Sequence, residues 1–196
     1  MFLIRHGEVV PPAPGAFYGG TEVELSPRGR QEAASAARDL AHEDLDAVYS
    51  SPLSRARFGA EQILLGRLGL DLQVADGVRE IDRGRWVGLT PEEVERRWPG
   101  DLEAHRRDPE AWRAHGGESL GGLRDRCLRV RDWLLEQYPE GSIALVSHLF
   151  PTRAILAASL GLPLDQWGTL RLPTGSISLV DYRQAGSEVR WTGRRS

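Results

Sequence analysis

Short apolar runs at residues 1–5, 46–50, 70–75, 143–147 and 177–182 alternate with longer stretches in which apolar residues recur every three or four positions. The runs read as strands and the recurrence as helices. The chain therefore predicts an α/β fold, a three-layer sandwich with a mostly parallel central sheet flanked by helices. Local signals sharpen the helix starts. Ser26-Pro27 places a serine at the cap and a proline at the first helical position, opening a helix that runs to about Leu40. Thr90 is followed three residues later by Glu93, the spacing of a capping box. Leu123, Cys127, Val130 and Leu134 predict a helix over 120–137, stopped by Pro139, and a last helix over 151–160 ends at Gly161. Ser51-Pro52 reads as a further start, with Arg55 in its first turn.

Two of the strands end in histidine: Arg5-His6-Gly7-Glu8 follows the first run and Ser147-His148 the fourth. Ligands of open parallel sheets bind beyond the carboxyl ends of the strands, so both imidazoles are candidates for one pocket. The proline- and glycine-rich segment 10–20 follows the first histidine as a loop, in the position where loops build sites. Residues 76–120 carry Trp86, Trp98 and Trp112 among charges and glycines and read as a helical flap inserted into one domain spanning 1–196. The apolar run at 177–182 reads as an edge strand that either pairs with a second subunit in a homodimer or is covered.

Composition narrows the chemistry. The net charge is -3, with 25 basic and 28 acidic residues interspersed, which predicts neither nucleic acid nor a membrane as partner. Every basic residue is arginine, and lysine and asparagine are absent, so Schiff-base lysine chemistry and phosphate loops of the GxxxxGK type are excluded. Arginine suits bidentate binding of phosphate. The single cysteine, Cys127, reads as a core residue. With no apolar stretch of ~18 residues and no leader-like N-terminus, a cytoplasmic location is expected.

Arg5, His6, Arg55 and His148 together read as an anion site, with the helix N-terminus ahead of Arg55 adding its positive end. Glu80, in the loop Glu80-Ile81-Asp82-Arg83-Gly84-Arg85-Trp86, is the candidate acid, and Glu8 its rival. His42, His105 and His115 have no metal-ligand spacing and read as surface residues.

These blocks resemble the histidine phosphatase superfamily, which includes cofactor-dependent phosphoglycerate mutases and α-ribazole phosphatases. Residues 3–8 resemble its RHGE signature, 18–33 the YGxTDxxLSxxGxxQA stretch, 50–57 SSPLxRA, 80–90 ExxxGxWxGxT, 116–119 GGES and 146–148 VSH. The resemblance implies a phosphoglycerate mutase-like fold and a metal-independent phosphatase needing no cofactor. In it His6 attacks phosphorus, Arg5, Arg55 and His148 bind phosphoryl oxygens, and Glu80 protonates the leaving group. It extends the substrate contacts to Gly7, Tyr18, Gly19, Thr21 and Leu149. The implied partner is a small phosphomonoester, with α-ribazole phosphate a candidate because 18–21 and 171–176 look most like that branch.

The chain also departs from the pattern. Val9, Pro12 and Ala16 replace polar positions common in the family, and Leu149-Phe150-Pro151 stands where many members carry two glycines. The second change implies a bulkier, apolar wall and a leaving group with apolar surface. Phosphatase is preferred over mutase because the mutase contacts after the acid are not recognisable. A non-catalytic phospholigand module is disfavoured because both histidines, both arginines and Glu80 are present.

Overall fold

The apolar runs form a six-stranded sheet in the computed structural model, which describes residues 1–11, 13–184 and 186–195; Pro12 lies outside the described residues. Strands β1 (Phe2–Arg5), β2 (Ala47–Ser50), β3 (Leu72–Val74) and β4 (Ile143–Ser147) are parallel. Strand β5 (Ile177–Arg183) runs antiparallel to β1, and β6 (Gly186–Arg194) turns back along β5. The order is β3-β2-β4-β1-β5-β6. Strand β4 lies between β2 and β1 with every residue buried, which is why its sequence is a continuous apolar run rather than an alternating one.

Successive side chains of each strand point to opposite faces, and each face has its own helices. Helices α1 (Pro27–Asp39) and α2 (Ser54–Leu64) cover Phe2, Ile4, Val48 and Val146. Helices α5 (Leu120–Gln137) and α6 (Leu149–Leu160) cover Leu3, Tyr49 and Leu145 on the other face. Cys127 is a core residue of α5, fully buried, and burial pushes its thiol up to about 12. Between β3 and α5 run two short 3-10 turns, Asp76–Val78 and Gly84–Trp86, and helices α3 (Pro91–Arg97) and α4 (Asp101–Arg107). The expected caps are present: Ser26 accepts from the Gly29 N–H, and Thr90 and Glu93 close a capping box.

Several expectations are corrected. Of the two alternatives for the run at 177–182 the covered one holds: β6 pairs along its outer side, so it is not the edge of the sheet and does not pair with a second subunit there. Helix α6 begins at Leu149 and takes Pro151 into its first turn, where the missing proline N–H would have had no intrahelical acceptor anyway. Helix α2 is preceded by Leu53 at the cap, not by Ser51 or Pro52. Its N-terminus is occupied by the Glu22 carboxylate, which accepts from the Ser54 N–H at 3.2 Å and the Ser54 hydroxyl at 2.6 Å. That helix end is therefore already neutralised and is not the anion site. His42 is exposed, but His115 is only 1% exposed and His105 is half-buried. Both lie in an aromatic cluster with Trp86 and Trp112, where burial lowers their pKa values, His105 to about 4.

Candidate active site

The parallel register of β1 and β4 pairs Arg5 with Ser147, so the residues that follow, His6 and His148, leave the sheet side by side. Their rings stand 5.0 Å apart at 60°. His6 is buried, and its Nδ1–H donates to the Gly7 carbonyl at 2.6 Å, since a carbonyl can only accept. The lone pair is thereby left on Nε2. Burial, reinforced by the Arg55 and Arg5 guanidiniums, pushes the His6 pKa down to about 3, so the ring is neutral across the ordinary pH range. Gly7 also lets α1 approach: a Cβ there would stand 2.0 Å from the Gly29 carbonyl oxygen.

His148 is fully buried, and its Nε2 lies 2.7 Å from the Ser51 hydroxyl. Burial, followed by the charges of its neighbours, holds its pKa well below the usual imidazole value. Arg5 donates through Nη1 to the Leu172 carbonyl at 2.6 Å. Arg55 is 1% exposed and donates through Nη1 and Nη2 to the carbonyls of Thr21 and Gly19, at 2.7 and 2.8 Å. Among the described residues, Arg5 Nε, Arg55 Nε and His148 Nδ1 are buried with no hydrogen-bond partner. Unpaired buried polar atoms each cost ~1–3 kcal/mol, and it is the convergence of two guanidiniums and a second imidazole on the His6 ring, rather than the unpaired state by itself, that fits acceptor oxygens.

Loop 17–21 acts on this set through its backbone. Gly19 has φ +47°, and a Cβ on it would meet the Ile81 carbonyl at 2.5 Å; glycine alone lets its carbonyl reach Arg55. The Tyr18 ring lies 5.5 Å from the Arg55 guanidinium, and the exposed Thr21 turns its hydroxyl back to the Tyr18 carbonyl at 2.6 Å. Leu149 opens α6 directly after His148, where the first N–H groups have no intrahelical acceptor.

The two acid candidates separate. Glu80 is buried, and burial raises its pKa, opposed by the Ile81 N–H that donates to its Oε1 at 2.9 Å and by Arg83, Arg55 and Arg5. Glu8 is turned to the start of α1, accepting from the Ser26 hydroxyl at 2.6 Å. Glu80 is the buried carboxyl facing the cations around His6. Its strand of backbone is held from behind: Arg126 pairs with Glu118 at 2.7 Å and donates to the Gly77 carbonyl at 2.8 Å and the Glu80 carbonyl at 3.4 Å. Among the described residues no group of three His, Cys, Asp or Glu side chains is placed to hold a metal ion.

Residues 1–194 match the family model of the histidine phosphatase superfamily (branch 1). The chain belongs to that superfamily. It is 31% identical over 184 residues to phosphoserine phosphatase 1 of Hydrogenobacter thermophilus, covering 94% of this chain and 87% of the relative. To the glucosyl-3-phosphoglycerate phosphatase of Mycolicibacterium vanbaalenii it is 35% identical over 201 residues, covering 98% and 86%. Among solved structures, a putative α-ribazole-5'-P phosphatase from Escherichia coli superposes with a TM-score of 0.89 at 25% identity, covering 100% of this chain and 96% of that one. The fold is thus that of the phosphoglycerate mutase-like histidine phosphatases, and the enzyme class is phosphoric monoester hydrolase.

Ser51, Arg126 and Arg83 stand around this candidate site although the sequence assigns none of them to it, Ser51 reading there only as part of a helix start. Ser51 follows β2, which reaches His148 only because β4 inserts beside it, a juxtaposition with no local signal. Arg83 had one, its place three residues after Glu80.

Proposed function

We propose that the chain hydrolyses small phosphomonoesters through a phosphohistidine formed on His6. The observation that carries this reading is the hydrogen bond from His6 Nδ1 to Gly7, which leaves a neutral Nε2 lone pair amid three unpaired buried donors. Arg5 and Arg55 bind the phosphoryl oxygens. The Ser51 hydroxyl accepts from the Leu53 N–H at 3.3 Å, which leaves its own proton to donate to His148 Nε2. The His148 ring proton then sits on Nδ1 as a third donor. Phosphoryl transfer depends mostly on such positioning and charge stabilisation.

Glu80, favoured in its protonated form by burial, gives its proton to the leaving ester oxygen. The resulting carboxylate removes a proton from the water that attacks phosphohistidine, which returns Glu80 to its starting state and frees His6 and inorganic phosphate. Such acid–base assistance is worth ~10²–10⁴-fold. The backbone of 18–21, which holds Arg55, and Leu149, next to His148 at the start of α6, flank the proposed phosphate position. Hydrolysis is preferred to mutase chemistry because the two relatives described above are named as phosphatases.

The substrate is a small phosphorylated metabolite, with α-ribazole phosphate, phosphoserine and glucosyl-3-phosphoglycerate the first three to compare by kcat/KM. The founding test is hydrolysis of p-nitrophenyl phosphate in EDTA between pH 5 and 8. Turnover is expected, and its absence in pure, folded protein would overturn the reading.

A further inference from the structure

One cation of the site has no counterpart in the chemistry above. Arg83 is 7% exposed, yet among the described residues it meets no carboxylate within ion-pair distance and donates no hydrogen bond. Its guanidinium lies 4.6 Å from the ring centre of Phe150 and 5.3 Å from that of Phe17. Phe150 stands two residues past His148 in the first turn of α6, and the Arg83 stem shares a wall with Gly19, whose Cβ would stand 2.8 Å from Arg83 Cγ. The side chain is thus fixed at the lip of the His6 pocket, on the side of the acid three residues earlier. None of its nitrogens is among the sealed, unpaired polar atoms, so its N–H groups reach open space rather than protein. Aromatic faces stabilise a guanidinium through its plane and leave its edge free, and that edge matches the two oxygens of a carboxylate.

A buried charge with no protein partner costs free energy, and Glu80 does not neutralise Arg83 by contact. Glu22, Glu32 and Glu118, other carboxylates near the site, are already engaged by Ser54, Glu8 N–H with Arg28, and Arg126. We propose that Arg83 is a specificity residue that binds a carboxylate on the leaving alcohol, so that the substrates of this site are phosphomonoesters of short hydroxy acids. The two phenyl rings beside Arg83 make the rest of that wall apolar, which suits a short carbon skeleton, while Arg153, the other guanidinium near Phe150, is engaged by the Leu170 carbonyl.

This inference rests on the phosphatase reading, and matched substrates separate the two. O-phosphoserine differs from phosphoethanolamine, and 3-phosphoglycerate from 2-hydroxyethyl phosphate, by the carboxylate alone. Wild-type protein should prefer the carboxylate-bearing member of each pair by about tenfold or more in kcat/KM, since a site built for a polar group rejects an analogue lacking it. Arg83→Met should bring both ratios to about one, and Arg83→Lys should keep part of the preference. A cooperative melt of each variant establishes that it is folded, and the wild-type ratios test the proposal without any variant. Ratios near one in wild type, or ratios unchanged in Arg83→Met, overturn the carboxylate subsite while hydrolysis itself stands. If wild type hydrolyses none of these esters and not p-nitrophenyl phosphate either, the phosphatase reading falls and this one with it.

Discussion

Two pairs of histidines are packed into this molecule, and they differ less than their roles suggest. His6 and His148 stand 5.0 Å apart at the carboxyl ends of β1 and β4; His105 and His115 stand 6.1 Å apart in the segment before α5. Burial lowers the pKa of all four, and both pairs have ring nitrogens with no partner. Depressed basicity and unsatisfied nitrogen therefore do not single out a reactive imidazole. What differs is direction and company. His6 and His148 are each oriented by one short hydrogen bond, to Gly7 and Ser51, and face Arg5 and Arg55. Among the described residues the His115 ring has no well-aligned hydrogen bond, only the Arg113 backbone acting on it, and indoles enclose the pair, with Trp86 4.6 Å and Trp112 5.0 Å from the His115 ring centre. One pair is aimed and the other is packed.

The largest effect should separate the pairs outright. His6→Ala is expected to lower kcat/KM for p-nitrophenyl phosphate by about 10⁴-fold or more, as loss of a nucleophile does. His115→Phe keeps the cluster filled and should stay within about threefold of wild type, because no step of the proposed chemistry uses this ring. A hundredfold loss in His115→Phe would break the distinction and bring the second pair into the chemistry.

Glu80 sharpens the aimed pair further. Glu80→Gln removes the transferable proton, so alkyl phosphates should lose about 10²–10⁴-fold in kcat/KM. The loss should be smaller for p-nitrophenyl phosphate, whose leaving group departs without help. Equal losses on both esters would mean that Glu80 positions rather than protonates. Its raised pKa also sets a sign: activity on alkyl esters falls as pH rises through that value, because the deprotonated enzyme cannot donate.

The sequence made the aimed pair legible and left the packed pair obscure for a physical reason. His6 and His148 each end an apolar run, and strand ends in a parallel sheet point to one edge whatever the loops between them do. The helix over Leu120–Gln137 was equally readable, since its apolar spacing and Pro139 are local. His115 gave no such signal: its burial depends on Trp86, which lies 29 positions upstream and reaches it through the turn at Gly84. Strand β6 escaped because its exposed edge alternates Glu188, Arg190 and Arg194 with only Val189 and Trp191, a charged pattern that protects an edge and hides a strand. The filling of the α2 N-terminus by Glu22 was likewise a matter of a loop 32 residues away.

The smallest effect tests the packed pair by itself. His105 titrates near 6.5 in an unfolded chain and at about 4 in the fold, so between those values the unfolded state holds more protons. Its contribution to stability is therefore complete above pH 6.5 and is lost as pH falls toward 4. His105→Phe removes that loss. Each unit of pH in the window is worth about 1.4 kcal/mol for a fully buried group, and roughly half that for a partly buried ring that solvent screens. Relative to wild type, the variant's Tm should rise by about 1–4 °C on going from pH 7 to pH 5, with turnover of p-nitrophenyl phosphate little changed. Comparing the two proteins at each pH cancels the acid sensitivity that both inherit from His6 and from their carboxylates. A difference in Tm that shrinks on acidification would mean that His105 gains a proton more readily in the fold than out of it, and the indole cluster would then be a charged site rather than a packed one.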